Sequence, residues 1–224
     1  DADKKSQVNK IITAAEDYRT AFQKYNDIKI RQKTAEEEMS RRGLELWAWA
    51  NTIRLDQRRE LTRLQQDPTS SVAEKKDTLA NFDDANQLIW WALEVRMGEK
   101  DFIIRKDKKY KYEIEALIAQ ILSRSKSMNS RFTNDSDREK TREIVAIAEN
   151  YLTTFQNYTE LHSQQKTAEN ELARNAKMLE GEAGIIRADQ KNELTTIREQ
   201  TDTFLEEKMT NADDANRLLA GLLD

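Results

Sequence analysis

The stretch AEDYRTAFQKY (Ala15 to Tyr25) returns further along the chain as AENYLTTFQNY (Ala148 to Tyr158). Both carry the pattern Y-x-x-x-F-x-x-Y. Tyr18, Phe22 and Tyr25, and again Tyr151, Phe155 and Tyr158, are therefore four and three residues apart. Only a helix gathers side chains at that spacing on one face, so each trio reads as the core stripe of a long helix. The two copies lie 133 positions apart (148 − 15), and the match is gapless from Ile12 to Thr62 over Val145 to Thr195. It includes QKTAE (Gln32 to Glu36) over QKTAE (Gln165 to Glu169), and IRLDQRREL (Ile53 to Leu61) over IRADQKNEL (Ile186 to Leu194).

Beyond that block the match resumes at an offset of 130 (211 − 81), with NFDDAN (Asn81 to Asn86) over NADDAN (Asn211 to Asn216). The three extra residues of the first copy fall near Asp67-Pro68-Thr69-Ser70-Ser71, where proline cannot continue a helix and bends the residue before it out of helical geometry. A unit this long is not a solenoid repeat, whose elements run 20 to 50 residues; it is a duplicated bundle-forming unit. The first copy covers about 4–133 and the second, truncated, about 137–224, within a single domain of residues 1–224.

Composition agrees. With only 5 Gly and 1 Pro in 224 residues there are few places for the chain to reverse, so the helices must be long. The expected class is all-α: an up-down bundle of long helices, as two stacked four-helix modules built from the duplicated unit. Helices are predicted over about 4–66, 71–105, 108–132 and 137–223. Gly43 is tolerated, breaks are possible near Gly181 and Gly184, and Ser136 with Glu139 forms a capping box.

The charge balance is slightly acidic, at −4, and alternates in sign along the chain, which gives no basic tract for nucleic acid. No cysteine is present, so thiolate metal sites and thiol catalysis are excluded. His162 is the only histidine and reads as a solvated helix residue, and no nucleotide, nucleophile-elbow or zinc motif occurs. Neither catalysis nor a cofactor or metal is expected. The basic stretch Arg105 to Lys111 (RKDKKYK) reads as a solvated helix start beside a turn. All four tryptophans, Trp47, Trp49, Trp90 and Trp91, belong to the first copy. Their mates in the second are Glu180, Glu182, Ala220 and Gly221. They line a ligand cavity, or they fill volume or cover a dimer surface.

The trio with QKTAE, DDAN leading into a helix, and EVRMGEKDFIIRKDKKY (Glu94 to Tyr110) resemble the helical bimodular sensor domain of bacterial methyl-accepting chemotaxis receptors and some sensor kinases. The resemblance implies a periplasmic ectodomain of a membrane-anchored homodimeric receptor. It would bind a small molecule between helices, an organic acid or an amine or amino acid, or would sense through a periplasmic binding protein. It also implies roughly 50 further residues upstream, because Asp1 aligns with Asn134 and the short helices that precede the second long helix have no counterpart before the first.

By that likeness Arg96 is the candidate anchor for a ligand carboxylate, which a planar guanidinium grips with two hydrogen bonds. The family's second anchoring arginine falls at Glu169, whose repeat mate is Glu36. The ligand-binding candidates are therefore Arg96, Glu99, Glu36, Trp47, Trp90 and Trp91. The competing reading pairs Arg96 with Glu36, Glu169 or Glu99 as a structural ion pair. A coiled-coil spacer is the alternative of a different class.

Overall fold

The computed structural model describes residues 2–221, with side chains described for 4–217. The chain is all-α: α1 (Ala2–Gln66), α2 (Val72–Arg105), α3 (Lys108–Arg131) and α4 (Asp135–Gly221). The Pro68 turn ends α1 as the sequence predicts. Asp67 Oδ1 accepts from both the backbone N–H and the hydroxyl of Thr69, while the Ser70 hydroxyl donates to the carbonyls of Leu64 and Asp67. Ser71 then caps α2 in a full capping box with Glu74.

α2 stops at Lys106, which takes left-handed geometry (φ 58°), and Asp107 caps α3 by accepting from the Lys109 N–H. The start of α4 differs from the sequence reading. Its cap is Asn134, whose Oδ1 accepts the Asp137 N–H at 2.8 Å, with Asp137 rather than Glu139 in the third helical position. Asparagine caps as well as serine, and Asp137 is held inside by Gln57 and Lys140, so the earlier start wins.

α4 runs unbroken through Gly181 and Gly184. A Cβ at either position would meet nothing within 4 Å. Each glycine therefore only costs helix propensity, and Gly181→Ala or Gly184→Ala should each raise unfolding stability by about 0.5–1 kcal/mol. Chemical denaturation measures it, and an unchanged or lower midpoint would contradict the continuous exposed helix. The expected end of this helix at Leu223, like the mates of Trp90 and Trp91 as side chains, lies outside the described residues.

The chain divides into two compact units. The larger, residues 26–166, is a four-helix bundle made from α2, α3, the second part of α1 and the first part of α4. Each helix contributes a stripe at alternating spacings of three and four: Leu46, Ala50 and Ile53 from α1; Leu88, Ala92 and Val95 from α2; Ile114, Ile118 and Ile121 from α3; Ile144, Ala148 and Tyr151 from α4. Such stripes on all four helices are the requirement for a bundle core.

The smaller unit, residues 1–25 and 167–224, contains two antiparallel helical segments. Gln7 pairs with Asp189, Lys24 with Glu171, and Asn175 donates to the Asp17 carbonyl, which fixes the register. The second four-helix module expected from the repeat is therefore represented, among the described residues, by two helical segments.

The repeat shows what this difference does to closely similar sequence. Tyr151, Phe155 and Tyr158 are at most 1 % exposed in the larger unit, whereas in the smaller one Phe22 is 45 % exposed and Tyr18 is half-buried. Met39, Leu46 and Ile53 are sealed; their mates Leu172, Leu179 and Ile186 are half-buried.

Candidate functional site

The sequence candidates Arg96 and Glu99 meet inside the larger unit, in the last three turns of α2. Glu99 is 3 % exposed and accepts from Arg96 Nη1 at 2.9 and 3.0 Å and from the Tyr151 hydroxyl at 2.7 Å. Arg96 Nη2 donates to the Ser40 hydroxyl on α1. The arginine reaches α1 because residue 43 is glycine: a Cβ there would lie 2.3 Å from Arg96 Cδ. Gly43, which the sequence suggests is merely tolerated, is thus the slot in which Arg96 lies.

Burial pushes the Glu99 carboxyl above its ordinary value, against the opposing pull of Tyr151 and Arg96, and raises the Tyr151 hydroxyl well above its own. A carboxyl whose folded value is raised stabilises the fold below its unfolded value and loses that contribution as pH climbs through the folded one. From pH 4.5 to pH 7 the wild-type chain should therefore lose stability relative to Glu99→Gln. Urea denaturation at the two pH values tests this; a difference that stays flat or runs the other way contradicts it.

A second polar cluster lies two turns along. The Tyr158 hydroxyl donates to Glu36 Oε1 at 2.8 Å, and Lys106 Nζ donates to the same hydroxyl at 3.1 Å and sits 5.5 Å from the ring centroid. Burial lowers Lys106 and raises Tyr158. Between the clusters Phe102 stands edge-on to Phe155, Tyr158 and His162. His162 is accordingly half-buried against an aromatic ring rather than solvated. The basic stretch likewise sends one of its members, Lys106, to the Tyr158 hydroxyl and ring, although Lys106 as a whole stays exposed.

The tryptophans do not converge on one cavity. Trp47 and Trp90 are 41 % and 64 % exposed, Trp91 is half-buried with the Arg124 guanidinium 5.7 Å from its ring centroid, and Trp49 packs on the core. Glu169 belongs to the smaller unit and Arg96 to the larger one.

A cavity of about 490 Å³ opens instead at the turn end of the larger unit, bounded by α1, α2, the α3–α4 turn and the start of α4. Its walls carry the carboxylates of Asp56, Glu60, Glu74, Asp77 and Asp137 against the cations of Arg131 and Lys140. Lys140 is committed to Asp56 at 2.7 Å and Asp137 at 2.8 Å, and Arg131 to Asp84. Glu60 is paired with Arg63 at 2.6 Å, and Glu74 and Asp77 remain as a surplus of negative charge on the walls. Hydrogen bonds from Arg63 and from the Ser71 N–H hold Glu60 and Glu74 below the usual carboxylate range, so both are ionised at neutral pH.

Nothing in the sequence spacing singled out this site, because its walls come from four separate segments between Asp56 and Lys140. Among the described residues no cluster of histidine, cysteine or carboxylate side chains is arranged to hold a metal ion. No helix among them is long and apolar enough to cross a membrane. No protein-family model, curated protein or solved structure matches the chain.

Proposed function

We propose that the chain is a ligand-sensing helical module of the chemoreceptor ectodomain kind, working outside the inner membrane as part of a membrane-anchored homodimer, and that it binds a small cationic molecule at the turn end of its four-helix bundle. The observation that carries the ligand proposal is the end cavity. Its volume suits a small molecule, and its walls come from three helices and a turn. A molecule seated there touches α1, α2 and α4 together. It therefore favours whichever relative placement of those helices fits it, and α1 and α4 extend that bias along their length.

The surplus of carboxylates selects the charge of the ligand. Arg96, the sequence candidate for gripping an organic acid, already spends both terminal nitrogens on Glu99 and Ser40. Amines, diamines and cationic amino acids are thus favoured over organic acids. The reading involves no group transfer.

A thermal-shift screen of amines, amino acids and carboxylates tests this. A ligand that binds only the folded chain at a hundred times its Kd stabilises it by about 2.7 kcal/mol, which is several degrees in melting temperature. Amines should give the shift, and Asp77→Asn, which changes only an exposed wall residue, should reduce it. A shift from carboxylates that Arg96→Met abolishes would return the site to Arg96. No shift from any compound would favour sensing through a protein partner.

A further inference from the structure

We infer that the larger unit holds a second ligand site, in the groove between α2 and α3, and that it takes an amphiphilic amine: an ammonium group carried on an aryl or branched alkyl body. The groove follows from spacing. On α2, Met97, Gly98 and Asp101 lie 3, 4 and 7 residues beyond Glu94; on α3, Glu113, Ile114 and Leu117 lie 3, 4 and 7 beyond Tyr110. Each set is one stripe of its helix, and the tight turn at Lys106 and Asp107 lays the two helices against each other. The stripes enclose a cavity of about 450 Å³, a volume in the range of small-molecule sites.

Its floor is apolar. At Gly98 the helices approach closely, since a Cβ there would lie 3.1 Å from Ile114 Cγ1, and Ile114 itself is fully buried. Met97, Tyr110, Ala116 and Leu117 stand around that floor, with Met97 66 % exposed. An apolar body seated here covers surface that water otherwise wets.

The rim selects charge. Glu94, Asp101 and Glu113 share the walls, and among the described residues no lysine, arginine or histidine does. Asp101 holds Arg105 at 3.1 Å and Glu113 holds Lys109 at 3.6 Å, but both are exposed pairs one turn apart, which solvent weakens. Glu94 has no ion pair among the described residues. The Tyr110 ring already draws cations, with the Arg105 guanidinium and Lys109 Nζ each 5.9 Å from its centroid, and a ligand ammonium is attracted in the same way.

These walls repel an organic acid, give a neutral apolar molecule no ion pair, and leave a bare diamine without an apolar contact to make. An amine on an apolar body satisfies both halves. The end cavity differs, because its walls are chiefly carboxylates, amides and hydroxyls. The two sites would therefore sort amines by their apolar part, and neither depends on the other.

NMR of the isotope-labelled chain, titrated with phenylethylamine, phenylpropionate and phenylethanol, tests the inference, because these share one ring and differ in charge. Phenylethylamine should move the amides of 94–101 and 110–120 along one saturable curve, with a Kd of about 1 mM for a ligand of about nine non-hydrogen atoms. Glu94→Lys, an exposed change, should weaken that binding at least tenfold, and Ala116→Phe, which fills the groove from an exposed position, should weaken it several-fold. Asp77→Asn should leave it unchanged. Equal binding of phenylpropionate or phenylethanol, no saturable movement of the groove amides, or an affinity indifferent to Glu94→Lys would overturn the inference. Movement confined to the end-cavity amides and lost in Asp77→Asn would overturn the groove site while leaving the end-cavity proposal standing.

Discussion

Phe155→Ala should destabilise the chain by about 3–5 kcal/mol, while the same change at its repeat mate, Phe22→Ala, should cost no more than about 1.5 kcal/mol. The two phenylalanines sit in nearly the same local sequence, on the same kind of helix, at the centre of the same aromatic trio. Helix propensity and unfolded-state effects therefore largely cancel between them. What differs is the cover. Phe155 is 0 % exposed and meets Phe102 edge-on at 5.4 Å between ring centroids, whereas Phe22 is 45 % exposed and stacks only on its neighbour Tyr18. Truncating Phe155 leaves a cavity walled by rigid helices on every side; truncating Phe22 leaves a notch that water fills. Urea denaturation followed by circular dichroism measures both. Equal costs would mean that the Tyr18 trio is as well covered in solution as the Tyr151 trio.

Arg96→Met should cost about 3 kcal/mol at neutral pH and less in mild acid. Among the described residues the arginine is the only cation hydrogen-bonded to the Glu99 carboxylate, whose side chain is 4 % exposed. Methionine keeps much of the packing and leaves that carboxylate ionised in a low-dielectric core, with one tyrosine hydroxyl as its remaining donor. The carboxyl already stands above its ordinary value through burial, and removal of Arg96 takes away one of the influences holding it down. Protonation then relieves the penalty, so the gap between variant and wild type should narrow as pH falls toward 5 and widen as it rises toward 7. Arg96→Met/Glu99→Met/Tyr151→Phe should recover most of the loss, since it removes the charge together with its partners. A gap independent of pH would mean that Glu99 is already neutral in the wild type.

The fold was legible because long-range information was written twice. A trio at helical spacing, repeated 133 positions on, required helices in both copies, and Pro68 placed the first reversal. Caps were legible to within two residues, since Asn134 and Ser136 are both competent and only the burial of Asp137 decides between them. The polar site was legible in part. Arg96 and Glu99 lie one turn apart on one helix, so their meeting follows from spacing. Ser40 and Tyr151 come from other helices, and Lys106 meets Tyr158 across 52 positions of sequence.

The tryptophans show the opposite failure. An uneven distribution between copies marks a difference in surroundings, but it does not say whether rings gather around a cavity or lie along an outer face. The exposure of Trp47 and Trp90 points to the face. The end cavity escaped because carboxylates are the common currency of this surface, and only the folded bundle shows which of them share a wall.

The ligand-sensing proposal meets its most direct test in isothermal titration calorimetry of the strongest amine from the thermal-shift screen, run on the wild-type chain and on Asp77→Asn. The structure leads to saturable binding to the wild type, weakened at least several-fold by Asp77→Asn and by raised salt, because the attraction is between charges. The absence of saturable heat, or an affinity that Asp77→Asn leaves untouched, would contradict it.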